Sequence, residues 1–115
     1  MKVALWRIAH ARSGDKADRA DIGLFAYDAT TYAVLKREVS KERLAEHFAA
    51  ICKGPVQVWP LDNILALKIV LNDALQGGAA RSLRTDNLGK IVAAQLLRME
   101  IEAPGDLPRL RAVSE

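Results

Sequence analysis

The sequence has 115 residues, half of them hydrophobic, with 17 Lys+Arg against 14 Asp+Glu for a net charge of +3. That length bounds it to one domain with a core of its own, and the balance of apolar to charged residues excludes disorder. A single cysteine excludes a disulfide framework and a multi-cysteine zinc site.

Lys2 to Ala9 is apolar on both faces and reads as a central strand. Val3-Ala4-Leu5-Trp6 before Arg7 is no secretory segment. The polar stretch His10 to Asp21 has no clean period and reads as a loop. Ile22 to Tyr27 is a second strand, with Gly23 marking a bulge or a close backbone approach. Thr30 is placed to cap a short helix carrying Tyr32, Leu35 and Val39. Ser40 is placed to cap the next, in which Leu44, Phe48 and Ile51 recur at helical spacing. Gly54-Pro55 is expected to end that helix. Val56 to Leu61 reads as a strand, and Pro60 puts it near a sheet edge.

Asp62 or Asn63 is placed to cap a helix from Ile64 to Gln76, with Lys68, Asn72 and Gln76 forming a polar stripe beside Asp73. Gly77-Gly78 ends it. Asp86 opens a last helix through Ile91 and Leu96. Leu97 to Ala103 alternates strictly, Leu97, Met99, Ile101 and Ala103 against Arg98, Glu100 and Glu102, the clearest strand signal in the chain. The tail from Pro104 is polar and proline-broken, so residues 1–103 make the domain and residues 104–115 a peripheral tail. The interleaving predicts an α+β sandwich, one mixed or antiparallel sheet with helices on one face. The other face is then open to solvent or covered by another chain. The two-sided apolarity of Val3 to Ala9 favours cover, so an oligomer or a partner is expected.

Residues 1–20 concentrate Lys2, Arg7, Arg12, Lys16 and Arg19 against Asp15 and Asp18. Such a local surplus suits a small anion rather than a nucleic acid, which needs a broad cationic stripe, and with 5% aromatic residues stacking platforms are few. Within the polar stretch, Arg12, Ser13, Gly14 and Lys16 combine two cations, a hydroxyl and a glycine that lets backbone amides approach an anion. It is not a Walker loop, and a turn in which Asp15 and Asp18 pair with their basic neighbours is the plainer reading. His10, where a strand meets that stretch, is a candidate general base, the role for which an imidazole is most often used. Its alternative is a strand-end histidine bonded to backbone. Gly77, Gly78, Arg81 and Ser82 make a second glycine turn, and Asn72, one turn earlier, reaches toward it. No pair of histidines or carboxylates has metal-ligand spacing, so neither a metal nor a cofactor is expected. The chain reads as a soluble cytoplasmic domain with no membrane segment.

The run Ile8-Ala-His-Ala-Arg-Ser-Gly-Asp-Lys16 with Asp18 and Ile22-Gly23 resembles the C-terminal domain of the acyclic terpene utilisation AtuA family. Leu44 to Phe48, Asn72-x-Ala-Leu-x-Gly-Gly78, Arg81-Ser-Leu-Arg84 and Asp86-x-x-Gly-Lys90 follow in the same order. Ala17, Asp21 and Ala79 depart from the expected glycine, asparagine and glycine. The resemblance implies a ferredoxin-like fold, here as a small protein separate from the larger domain that precedes it in the family. It also implies an accessory role in an acyl-CoA or organic-acid catabolic enzyme of the acyclic-terpenoid type. A larger AtuA-type subunit, a homo-oligomer, or both are the implied partners, and an anionic small molecule or CoA ester the implied ligand. In that setting Arg12 and Lys16 hold the anion, and His10 or Asp15 is the acid–base group. A non-catalytic assembly module and a self-contained homo-oligomeric enzyme are the alternatives.

Overall fold

The computed structural model describes residues 1–16, 19–49, 52, 54–72 and 92–107. In chain order they form β1 (Lys2–Ala4), a 3-10 turn (Leu5–Arg7), β2 (Ala9–Lys16), β3 (Arg19–Ala26), α1 (Ala29–Glu38) and α2 (Lys41–His47). There follow β4 (Val56–Leu61), a second 3-10 turn (Asp62–Ile64), β5 (Ala66–Leu71), a helical stretch over residues 92–97, and β6 (Glu100–Glu102). Strands β2-β3-β5-β4 make a four-stranded antiparallel sheet, and β1 and β6 pair as a separate antiparallel ribbon. The α+β class with an antiparallel sheet and helices packed on it is the expected one. The ribbon is an addition to it.

The apolar segment Lys2 to Ala9 is two strands, not one. The turn at Leu5–Arg7, closed by Ile8 N–H donating to the Leu5 carbonyl at 3.0 Å, carries the chain from the ribbon into the main sheet. Val3, Leu5, Ile8 and Ala9 are all buried within this chain while Trp6 is exposed. Their two-sided apolarity is thus satisfied internally and no longer argues for a covering chain.

Of His10 to Asp21, expected as a loop, residues 10–16 and 19–21 lie in two antiparallel strands paired from Ala9↔Ala26 to Lys16↔Arg19. The alternation is hidden because the inward positions of β2 carry small residues, Ala9 and Ala11, on an edge strand that needs little volume there. β3 shows the period openly, with Ala20, Ile22, Leu24 and Ala26 buried. Its pairing is continuous through Gly23, so there is no bulge, and the close approach there is made by a side chain.

Asp28, not Thr30, caps α1, its carboxylate accepting from Thr31 N–H at 2.8 Å. Ser40 caps α2 as expected, accepting from Arg43 N–H at 3.2 Å. Tyr32, Leu35, Val39, Leu44 and Phe48 are buried as the spacing requires. The second helix stops at His47 with Phe48 as its C-cap, well short of Gly54-Pro55. Gly54 N–H donates to the Asn72 carbonyl at 3.0 Å, which brings the chain alongside β5 just before β4 begins. Ile51 lies outside the described residues.

Ile64 to Gln76 is not a helix over its described part, residues 64–72. Asp62–Ile64 is a 3-10 turn, Leu65 takes the left-handed conformation at φ 55°, and Ala66–Leu71 is the strand between β3 and β4. A strand covered from both sides is apolar almost throughout, and periodicity alone does not separate it from a buried helix. β4 is an edge strand, as Pro60 foretold. Of the expected strand 97–103, only Glu100–Glu102 pairs, and Leu97 is helical. Met99, Ile101 and Ala103 are nonetheless buried, and Arg98, Glu100 and Glu102 exposed. Met1 is fastened to Ala103 through both backbone groups, at 2.9 and 3.0 Å. Leu107, in the expected peripheral tail, is buried.

Candidate functional site

The helices take one face of the four-stranded sheet, and the register fixes which residues share the other. One row across the four strands reads Arg12, Gly23, Lys68, Trp59. The next reads His10, Phe25, Ala66, Leu61. On the far side of the first row stand Gly14, Asp21, Val70 and Gln57. Arg12, Lys68, Trp59 and Leu61 are exposed.

Gly23 and Ala66 leave a depression between taller neighbours. The result is a groove of about 300 Å³ lined by Arg12, Ser13, Asp21, Ile22, Gly23, Phe25, Leu61, Ala66 and Lys68. The Phe25 ring leans over Gly23, and a Cβ there would stand 2.8 Å from Cε1 of that ring. Behind Phe25, on the β2 side, His10 stacks nearly parallel to it at a centroid distance of 5.0 Å, with Tyr27 tilted against the same imidazole at 5.2 Å. The Arg12 guanidinium lies 5.9 Å from the Phe25 centroid, a cation–π distance. His10 Nδ1 is buried without a hydrogen-bond partner among the described residues.

Charge on this face is lopsided. Arg12 and Lys68 face each other across the bare glycine, two strand spacings or about 10 Å apart at the backbone, and Asp21 is the carboxylate of the adjoining row. Lys68 makes no ion pair among the described residues. Two long cationic side chains flank Gly23, over which the Phe25 ring leans, and their ends can close on one carboxylate or phosphate oxygen set with charge-assisted hydrogen bonds.

The wall formed by Leu61 is held from behind. The Tyr32 hydroxyl, on α1, donates to Asp62 Oδ1 at 2.6 Å, and Lys36 Nζ lies 3.4 Å from the same oxygen. Burial, then the hydrogen bond and charge of Asp62, push the Tyr32 phenol up to about 12. The Tyr32 and then the Lys36 hydrogen bonds hold the Asp62 carboxyl below its usual range.

Of the residues singled out in the sequence, Arg12 and Ser13 line the groove, while His10 supports the Phe25 ring from outside it. Gly14, Asp15 and Lys16 continue β2 toward the end of its pairing with β3, opposite Asp21, Ala20 and Arg19. Asp15 stands five residues from His10 along an extended strand, about 17 Å, and in the row of Ala20 rather than that of Phe25. Asn72, at the end of β5, is engaged with the Pro55 carbonyl at 2.9 Å and Gln57 Oε1 at 3.2 Å. Gly77, Gly78, Arg81 and Ser82 lie outside the described residues. Phe25, Lys68, Ala66 and Leu61 were missed as site residues. Their signal was period two in segments whose outward positions are small, aromatic or cationic.

The AtuA ferredoxin-like domain matches residues 3–102. The chain belongs to that family. No curated protein and no solved structure matches it. The AtuA ferredoxin-like match runs from β1 through β6, so it takes in the whole grooved sheet face. Among the described residues, no group of three His, Cys, Asp or Glu side chains could hold a metal ion, and no helix is long and apolar enough to cross a membrane.

Proposed function

We propose that this AtuA ferredoxin-like chain is an accessory small subunit of an acyl-CoA or organic-acid catabolic enzyme, contributing an anion-binding surface to a site shared with a larger AtuA-type subunit. The observation that carries the reading is the row Arg12–Gly23–Lys68, two cations flanking a position without a side chain. The anion-holding element is therefore the sheet face, with Lys68 in the part expected of Lys16. His10, half-buried at the margin of the groove, is the candidate acid–base group of this face. Trp59, Leu61 and Ile64, exposed by 44%, 37% and 50%, give the β4 margin an apolar rim, which suits contact with the larger subunit.

The test is an amide-resolved NMR titration of the full chain with hexanoate and with coenzyme A. The Gly23 and Lys68 amides are expected to shift with either anion. Arg12→Ala and Lys68→Ala should each weaken binding about tenfold or more, since a hydrogen bond to a charged group contributes roughly 1.5–3 kcal/mol. Unchanged affinity in both variants would remove the site.

A further inference from the structure

The two nitrogens of His10 lie in different surroundings, and the difference bears on what this residue does at the groove margin. Its imidazole is packed by two rings, Phe25 within 10° of parallel at 5.0 Å and Tyr27 tilted against it at 5.2 Å. Nδ1 is buried and has no hydrogen-bond partner among the described residues, whereas Nε2 reaches solvent. A neutral imidazole carries one proton, so one nitrogen donates and the other accepts. Which nitrogen holds the proton is set by what the other one meets. Buried N–H groups without an acceptor are rarer in folded proteins than buried acceptors without a donor. The proton therefore belongs on Nε2, where water or a ligand can accept it. His47 is the contrast, because its Nε2 meets the Gln95 carbonyl at 2.8 Å and a protein acceptor fixes its proton.

In that tautomer neither nitrogen can take a proton from a ligand. Nε2 already holds one, and Nδ1 is closed off by the packing. We infer that His10 serves this face as a neutral hydrogen-bond donor through Nε2–H, to an oxygen of the ligand that Arg12 holds, and not as a base. Its neighbour suits that part. His10 and Arg12 stand two positions apart on one face of β2, and the Arg12 guanidinium lies 5.9 Å from the centroid of the same Phe25 ring. A guanidinium has donors and no acceptor, so the two side chains together offer hydrogens only. The group they suit is an oxygen with no hydrogen of its own, a carboxylate or a thioester carbonyl, which a neutral imidazole N–H polarises without giving up its proton. The inference rests on the anion-site reading and adds to it that His10 binds and polarises, so that proton abstraction falls to a group other than His10.

Long-range proton–nitrogen correlation spectra of the full chain read the proton placement directly, with His10→Gln assigning the His10 signals against those of His47. In the neutral His10 ring, Nε2 should show the shift of a protonated nitrogen and Nδ1 that of a bare one, and hexanoate should move the Nε2 signal. Two variants then separate the donor from the packing, because both lose the ring. In His10→Gln the side-chain amide reaches about as far as Nε2, and in His10→Asn only about as far as Nδ1. The Gln variant should bind hexanoate about tenfold more tightly than the Asn variant, the increment of one hydrogen bond to a charged group. A neutral ring with its proton on Nδ1, or equal affinity of the two variants, would overturn the inference and leave the anion site standing. If hexanoate moves neither the Gly23 nor the Lys68 amide, the anion-site reading fails and the donor role fails with it.

Discussion

Tyr32 keeps its proton far into the alkaline range because it is buried and donates to a carboxylate, and that couples the stability of the fold to pH. The phenol titrates near 10 in an unfolded chain and at about 12 in the folded one. Below pH 10 both states are neutral and no difference arises. Between about 10 and 12 the unfolded state loses its proton while the folded state does not, so stability falls as pH rises through that window. The loss should reach about 2–3 kcal/mol, at 1.36 kcal/mol per unit. Urea unfolding at a series of pH values should show this slope in the native protein and not in Tyr32→Phe. Gly23 works at the same scale, since it gives the Phe25 ring its place over the sheet. The sequence marks it as a position of close approach. It does not say that a ring two residues on makes that approach, because a strand puts residues 23 and 25 on one face without fixing which way the ring turns.

The two described helix starts differ in how openly the sequence declares them. Ser40 is followed by Leu44 and Phe48 at helical spacing, so cap and buried face point to one start. At the first helix, Asp28 and Thr30 both offer a capping oxygen, and the carboxylate of Asp28 reaches the Thr31 amide. Asp28→Ala and Ser40→Ala should each lower the unfolding free energy by about 1 kcal/mol, the usual cost of losing such a cap. The urea m-value should stay unchanged, because no additional surface is exposed on unfolding. β5 was illegible for the opposite reason. Its neighbours on both sides and the residues above and below suppress alternation, leaving an apolar run that a helix would share. Once that run is a strand, Lys68 moves from the solvent stripe of a helix to a place across Gly23 from Arg12. The main site residue was therefore hidden behind one wrong element. Likewise, the β2–β3 pairing was masked by alanines doing the work of larger inward residues.

Across the whole molecule, the β1–β6 ribbon is tied to the helical layer by a cluster around Glu38. Glu38 Oε1 accepts from Arg43 Nη1 at 3.0 Å, Arg43 Nη2 donates to the Glu100 carbonyl at 2.8 Å, and Arg37 Nη2 lies 3.4 Å from the Glu102 carbonyl. The hydrogen bond from Arg37, aided by the Glu102 amide and the Arg43 charge, outweighs burial and holds the Glu38 carboxyl below its usual range. Its stabilisation is accordingly present above the unfolded value of about 4.3 and lost as pH falls through the folded one. Glu38→Gln should be less stable than the native protein by about 1 kcal/mol at neutral pH, and the two unfolding curves should converge in acid. The overall class, helices on an antiparallel sheet, was legible because alternation at 97–103 and capped helical spacing at 40–48 survive any local ambiguity. The division into two sheets was not, since it depends on one 3-10 turn at Leu5–Arg7 inside a run that reads as continuous. The ribbon that this turn creates has a geometric corollary. With Met1 and Ala103 bonded to each other through both backbone groups, the path into the fold and the path out of it lie side by side at one corner. A domain so arranged can be spliced into a loop of another protein, or circularised through a linker of a few residues, without stretching either sheet.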